Sequence, residues 1–418
     1  MGRFSVPSSP ARNVVKIETF KGVDLNSSPS NVEITRSPNA PNMMRDVPGK
    51  VRKRQGYERI AQFSGKRING VHILRSAEKN EEKVLIHAGD SLYLEGKAIY
   101  TGMADERSVG RQFYGKLFIF DGKKALCYGE FETEETAAAE TDKAEKPKAF
   151  MVKPLEDAAY IPTVIISRKP TGGGTTLEPL NLIGRKWKES FLSDGTAKVY
   201  QLTAKDLDAD KVAVRIMTKE GEWTDKKEGT DFTVDRKNGT VTFTTAPGAS
   251  PVTGYDNVEI TAAKTRKGYA EKINKCKIIS LFGVNGAMDR MFLSGNPDFP
   301  NRDWYCKMAD GFFWGDLWYS TLGQDGSAIV GYSIINDRLA AHKSDAEEGR
   351  NVILRKGEMG EKDATFPIIG TLTGRGALGS HTFGYLGSEP LFLTDIGIMA
   401  ITAADLTGEK YSQSRSYY

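Results

Sequence analysis

Short apolar runs, each four or five residues long, recur along the chain from about residue 68 and are separated by turns that contain Gly or Asp. Strand-sized runs at a spacing of roughly 8–12 residues are typical of an antiparallel meander, in which each strand pairs with the next. Two stretches, 84–100 and 112–128, share the order of strand, Gly-containing turn, second strand and second turn. A repeat of this kind favours propeller blades. We therefore predict an all-β fold with a β-propeller-like meander in two parts, 66–179 and 265–418.

Between these two parts the pattern changes. Residues 180–264 contain longer alternating strands, and an Asn238-Gly239 turn before one of them predicts a hairpin. A stretch of this length and pattern suits a small β-sandwich, inserted into the meander. The Gly-rich stretch 170–179 is expected to be a linker, and the charged, Ala-rich stretch 130–149 a surface loop.

The first 48 residues follow neither pattern. The prolines at positions 7, 10, 29, 38 and 41 exclude long helices there, because each removes a backbone donor and restricts the residue before it. Short extended pieces at 14–17 and 32–34 alternate with segments rich in Ser, Pro and Asn. We predict an extended N-terminal arm over 1–65, which gains stability only by lying on another surface.

The second part of the meander contains an aromatic cluster at 304–319. Its rings could form an exposed platform for a sugar or a partner, or they could pack as core between blades. Core packing is favoured, because aromatic residues at this density are rarely left in water.

Residues 412–418 look like the opening of another strand, so we expect either a truncated chain or a strand that closes a ring. The length outside arm and insert allows roughly six blades of ~40–45 residues.

Composition narrows the class of protein. Of 418 residues, 39% are hydrophobic and 27% charged, which argues against a membrane protein and against a wholly disordered one. No window holds 18 consecutive apolar residues, and the first residues lack the apolar core of a secretory signal. We therefore expect neither a membrane span nor a signal peptide.

Charge is unevenly placed along the chain. Residues 1–67 carry 13 Lys and Arg against 5 Asp and Glu, a balance of +8, although the whole chain has a net charge of only +4. The basic residues of the arm could meet an acidic partner surface or phosphates, or they could form a merely solvated strand or turn. The candidate partner-binding residues are Arg36, Arg45, Lys50, Arg52, Lys53 and Arg54.

Catalytic and metal-binding motifs are absent from the sequence. It has no phosphate-binding Gly loop, no HExxH and no GxSxG, and its Asp-Gly turns do not extend into the repeated motifs of sialidase-like propellers. Three cysteines far apart and four histidines offer neither a disulfide framework nor metal-ligand spacing. We predict a protein that is not an enzyme, with no catalytic residue, no cofactor and no metal.

Two segments resemble those of a known family. Residues 36–46, running into 49–57, resemble the opening of β-propeller tail proteins of tailed bacteriophages, the nozzle or packaged-DNA stabilisation group. The segment 289–297 is similar to a blade strand of those proteins.

The insert carries a third resemblance. Residues 191–196, 230–234 and 239–247 look like the small β-sandwich of tail-fibre and other virion proteins. The match departs from the usual pattern at Ser193, where Gly is usual, and at Phe232, where Tyr is usual.

Together the resemblances imply a structural component of a phage virion, made in the host cytoplasm and located in the tail. Such proteins form homo-oligomeric rings, bind other tail or connector proteins, and let DNA pass during ejection without sequence-specific binding. The alternative is a propeller at the tail tip that binds a carbohydrate or host receptor, which needs exposed aromatic side chains in a concave site.

Overall fold

The computed structural model describes residues 9–76, 80–133, 148–324, 326–344, 349–361, 363–403 and 410–415. Most of the predicted loop at 130–149 lies outside these ranges. The chain divides into two compact units, residues 1–62 and 63–418, and each is described by itself.

The first unit consists of short extended pieces. Strand β1 (Gly22–Val23) pairs in parallel with β2 (Arg36–Ser37), and β3 (Met43–Met44) pairs antiparallel with β4 (Arg52–Lys53). A 3-10 turn at Pro29–Asn31 lies between the first pair. No described residue of this unit is buried. The unit has no hydrophobic core of its own, as expected for an extended arm.

The second unit begins with two four-stranded antiparallel sheets. Sheet 1 comprises β5 (Ile68–Ser76), β6 (Glu81–Ala88), β7 (Ser91–Leu94) and β8 (Lys97–Thr101). Sheet 2 comprises β9 (Val109–Phe113), β10 (Lys116–Phe120), β11 (Ala125–Glu132) and β12 (Lys148–Pro154). Two-residue turns join β7 to β8 and β9 to β10, and both residues of each turn have positive φ, at Glu95-Gly96 and Tyr114-Gly115. Such turns match the twist of the flanking strands and fix their register.

The inserted sandwich follows sheet 2. Its strands are β13 (Thr163–Arg168), β14 (Thr175–Thr176), β15 (Lys186–Phe191), β16 (Val199–Gln201), β17 (Ala213–Lys219), β18 (Glu222–Lys226), β19 (Phe232–Asp235), β20 (Thr240–Phe243) and β21 (Val258–Ala263). They form a six-stranded sheet in the order β14-β13-β15-β21-β17-β18 and a three-stranded sheet in the order β16-β20-β19. The predicted hairpin is confirmed, because β19 pairs with β20 around the turn that ends at Gly239.

The predicted start of the insert at residue 180 requires a correction. Strand β13 lies before it, yet pairs in parallel with β15 and belongs to the sandwich sheet. Strand β14, inside the predicted linker 170–179, pairs with β13. The sandwich sheet therefore begins at Thr163, and the linker is part of it.

Three more four-stranded sheets follow a one-turn helix, α1 (Tyr269–Asn274). Sheet 3 comprises β22 (Ile278–Phe282), β23 (Arg290–Ser294), β24 (Arg302–Tyr305) and β25 (Tyr319–Thr321). Sheet 4 comprises β26 (Ile329–Ile335), β27 (Arg338–Lys343), β28 (Arg350–Lys356) and β31 (Ile368–Thr373), with a small pair, β29 (Glu358–Met359) and β30 (Ala364–Thr365), between the last two. Sheet 5 comprises β32 (Phe383–Leu386), β33 (Glu389–Thr394), β34 (Gly397–Ala403) and β35 (Lys410–Ser414).

The five sheets are arranged around a common hub. Their first strands contact one another in the order β5, β9, β22, β26 and β32. Separate buried clusters fill the spaces between successive sheets, from sheets 1 and 2 to sheets 4 and 5. Each inner sheet is thus covered on both faces, as in a row of propeller blades.

The first and last sheets each keep one apolar face uncovered. On sheet 1, Val71 and Ile73 are 57% and 36% exposed, and on sheet 5, Leu393 and Ile398 are 38% and 39% exposed.

The predicted all-β class is confirmed, and the described residues outside the insert form five four-stranded sheets where the sequence allowed about six blades. A closed propeller stays a prediction. Within the described ranges the longest helix has six residues, too short to cross a bilayer.

Candidate partner-binding site and the hub of the sheets

Four of the six candidate basic residues make contacts inside the first unit. Arg45 donates from Nη1 to the carbonyl oxygen of Lys21 at 2.9 Å, and Arg52 donates from Nε to Asp46 at 2.7 Å. The bond from Arg52 holds the pKa of the Asp46 carboxyl below its usual value.

Arg36 and Arg54 complete this set. Arg36 lies 3.8 Å from Glu33, and with Arg45 it lines a shallow cavity of about 460 Å³. Arg54 donates to the amide oxygen of Asn42 at 2.8 Å and lies 4.9 Å from the centre of the Tyr57 ring. Exposed ion pairs of this kind contribute little stability. The four arginines thus bond within local turns of the first unit, and because these bonds are weak, their guanidinium groups remain accessible to a partner.

Lys50 and Lys53 differ from the arginines. Both are exposed, and in the described part of the chain neither side chain has a hydrogen-bond or ion-pair partner. Strand pairing puts Lys53 opposite Met43, and Met44 opposite Arg52, so cations and exposed thioethers share this hairpin. The arrangement is suited to a protein surface that offers both carboxylates and apolar contacts.

Apolar side chains extend this surface along the unit. Many large ones are well exposed, among them Val14, Val15, Ile17, Leu25, Ile34, Tyr57 and Ile60. Exposed apolar residues in such number usually mark an interaction surface. Sequence reasoning selected the charges and passed over these residues, although the extended pieces 14–17 and 32–34 contain several of them.

The hub contains a second candidate site. A cavity of about 410 Å³ is lined by residues of the first strands of all five sheets or of the segments just before them. Its charged lining residues are Arg107, Arg111 and Lys277, and Lys277 is paired with Glu106. The hub cavity is therefore mildly basic, whereas the sequence outside the arm sums to a negative charge.

One wall of the hub holds a buried chain of hydrogen bonds. The hydroxyl of Ser108 lies 2.8 Å from Nε2 of His72 and 2.9 Å from Nδ1 of His87. A Cβ on Gly70 would stand 2.6 Å from Nε2 of His72, and one on Gly110 would stand 2.6 Å from its Nδ1. Only glycine at these two positions leaves space for the His72 ring.

These residues do not form an activated nucleophile. Burial lowers the pKa of His72 to about 4 and also lowers that of His87, so both imidazoles are neutral and His72 is a weak base. The Ser108 hydroxyl is buried and already shared by two rings. The three residues join sheet 1 to sheet 2. Sequence reasoning missed them, although both histidines stand in strand-sized runs.

The aromatic cluster is mainly core, as expected. Trp304, Phe313 and Trp314 are fully buried, and Trp304 and Trp314 belong to the cluster between sheets 2 and 3. Tyr319 at the end of the cluster is exposed.

The three cysteines are buried, as free thiols. In the ranges that the structure describes, no three His, Cys, Asp or Glu side chains are grouped as metal ligands would be.

Comparison with known proteins gives little further information. No protein-family model matches the sequence, and no curated protein matches it. Solved structures that match include putative 6-phosphogluconolactonases from Bacteroides uniformis and Bacteroides fragilis, both 11% identical with a TM-score of 0.25. The matches cover 82% of this chain and 94% and 93% of those chains. A TM-score this low supports no argument about activity.

Proposed function

We propose that the protein is a non-enzymatic structural component of a phage tail, which assembles into a homo-oligomeric ring through which DNA passes. Virion location and contact with other tail or connector proteins belong to the same proposal. It starts from the resemblance of segments within 36–57 and 191–247, and of residues 289–297, to phage tail and virion proteins.

The observation that carries the proposal is the exposed apolar surface of the N-terminal unit. Over its described residues 9–62 this unit has no buried residue, many exposed apolar side chains and two lysines without a described partner, so it lacks a core that would stabilise it on its own. Contact with a second molecule would cover it. Assembly proteins have this need, whereas a monomeric enzyme does not.

The alternative, a carbohydrate- or receptor-binding propeller at the tail tip, receives less support. Its platform would be the aromatic cluster at 304–319, in which Phe313 and two of the three tryptophans, Trp304 and Trp314, are fully buried.

Mass photometry and negative-stain electron microscopy of the full chain test the proposal. We expect rings of fixed symmetry with a central hole. The variant Ile17→Asp/Ile34→Asp should shift the population to monomers, and Lys50→Glu/Lys53→Glu should weaken assembly in a salt-dependent way.

The control variant is Lys97→Glu/Lys219→Glu, which reverses two exposed charges in the second unit. It should assemble like the wild type, and thermal unfolding of every variant checks that the second unit is folded. A wild-type chain that stays monomeric up to its solubility limit would overturn the ring. Rings that form equally well with both arm variants would overturn the role of the arm.

A further inference from the structure

A cavity lies beside the inserted sandwich. It has a volume of about 540 Å³ and is lined by residues 182–186 up to the start of β15, by residues 264–266 after β21, by residues between 156 and 161 after sheet 2 and by the start of α1. A cavity of this size accommodates a small organic molecule. We call it the insert cleft.

Four cationic side chains line the insert cleft, and two of them are already engaged. Arg185 is paired with Asp208 and Asp210. Lys264 donates from Nζ to the carbonyl oxygen of Lys205 at 2.5 Å. Lys186 is exposed.

Arg266 is the unusual member of this group. It is half-buried, and among the described residues no carboxylate lies within 4 Å of its guanidinium. Its one described side-chain hydrogen bond runs from Nη1 to the carbonyl oxygen of Lys264 at 3.4 Å, which is long. A guanidinium has five N–H donors, so most of them have no protein partner.

The surroundings of Arg266 position the guanidinium without neutralising it. Its central carbon lies 4.9 Å from the centre of the Trp187 ring and 6.0 Å from that of Tyr269. Burial lowers the pKa of Arg266, and the more distant charges of Asp316 and Asp208 offset this only in part. A partly desolvated cation without a counter-ion is unfavourable, and an anion in the cleft would remove the cost.

We propose that the insert cleft binds the oxyanion of a small molecule, a carboxylate or a phosphate, through Arg266. The planar guanidinium fits both groups with two parallel hydrogen bonds. Trp187 and Tyr269 hold its plane, so little side-chain freedom is lost on binding. Glu156 and Asp157 also line the cleft, so its lining holds four cations against two carboxylates, a net charge of +2.

Isothermal titration calorimetry of the full chain, at constant ionic strength, tests the site. The two probes are inorganic phosphate and succinate, and they distinguish a phosphate from a carboxylate as the preferred group. We expect saturable binding of at least one probe, with a dissociation constant of about 1 mM or below.

Two variants make the test specific. Arg266→Met should weaken binding at least tenfold, whereas Lys219→Met, which removes an exposed charge from the hairpin of the insert, should bind like the wild type. Without ligand, Arg266→Met should have an unfolding temperature equal to or above that of the wild type, because it removes an unpaired and partly buried cation.

Three results would overturn the proposal. One is that neither probe saturates the wild type, and another is that Arg266→Met binds as tightly as the wild type. The third is a markedly lower unfolding temperature of the ligand-free variant, since Arg266 would then serve the packing of Trp187. None of these results depends on ring assembly, so the tail role and the insert cleft can fail separately.

Discussion

A buried ion pair connects sheets 3 and 4, and its removal gives a sharp test of how the sheets are held together. Asp303 on β24 and Arg355 on β28 are both fully buried, with Nη1 of Arg355 2.5 Å from a carboxylate oxygen of Asp303. Arg355 also donates to the carbonyl oxygen of Phe366 at 3.0 Å and to the hydroxyl of Ser320 at 2.6 Å. Tyr332 donates to the same carboxylate oxygen at 3.1 Å.

The variant Arg355→Met leaves the Asp303 carboxyl in the core with one remaining side-chain donor. Breaking a fully buried pair in this way costs about 3–5 kcal/mol of unfolding free energy. Here the loss should approach the upper value at neutral pH, because the second oxygen of Asp303 has no described hydrogen-bond partner. Urea denaturation at pH 7 measures it.

Acid should partly rescue this variant. Burial already raises the pKa of Asp303, with Arg355 opposing the shift, and without Arg355 the folded-state value rises further above the unfolded one. A group with a raised folded-state pKa contributes stability at low pH that is lost as pH rises. The deficit of Arg355→Met should therefore be smaller at pH 5 than at pH 7.

The double variant Asp303→Leu/Arg355→Met removes both charges and should recover most of the loss, because an apolar pair replaces the ion pair. The control is Arg375→Met, whose ion pair with Asp395 is about half exposed and should contribute less than about 1 kcal/mol. If Arg355→Met costs no more than this control, or if the double variant is as unstable as the single one, the reasoning is refuted.

Two further predictions concern buried histidines. Ser108→Ala should lower the free energy of unfolding by about 1–3 kcal/mol, because two buried imidazoles lose a hydrogen-bond partner. Ser333→Ala should lower it less, because the Ser333 hydroxyl bonds to one imidazole, that of His342 at 2.9 Å. Equal losses in urea denaturation would contradict this. Acid should destabilise the wild type, because burial lowers the pKa of His72 to about 4 and that of His342 to about 3, below the unfolded value of 6.5. The stabilising contribution of the neutral rings is fully present above the unfolded-state pKa and decreases as pH falls from that pKa toward the folded-state pKa values, by at most ~1.4 kcal/mol per pH unit for each histidine. An unfolding temperature that does not change between pH 7 and pH 5 would argue against buried neutral rings.

Local sequence pattern predicted the parts of the fold that depend on neighbouring residues. The alternating runs around Gly89 and Gly96 indicated sheet 1, and the Asn238-Gly239 turn indicated the hairpin of β19 and β20. The start of the insert could not be predicted this way, because β13 pairs in parallel with β15 across a long connection. Parallel pairing of distant segments leaves no turn signal in the sequence.

The same distinction between local and long-range features decides which candidate sites could be predicted from the sequence. Six basic residues of the arm could be selected from the sequence, because their charges are dense along the chain. The contact of Ser108 with His72 and His87 and the unpaired state of Arg266 depend on residues far apart in sequence. Arg266 differs from other arginines only in what surrounds it, and the sequence does not specify those surroundings.

The two ends of the inserted sandwich lie close together in the structure. Thr163 at its start pairs with Lys188 on β15, and Ala263 at its end pairs with Lys186 on the same strand. About 100 residues therefore form one connection between β12 and α1. Residues 180–183 of this connection also belong to the host, because the backbone of Leu180 and Leu182 bonds to residues 316 and 314, and Leu182 and Ile183 are buried between sheets 2 and 3. A foreign domain with adjacent ends could replace residues 186–263, whose first and last residues pair with each other, and leave those host contacts intact. The junction at β15 is thus a natural grafting point, at which lineages of this protein could gain, lose or trade a domain in a single genetic event.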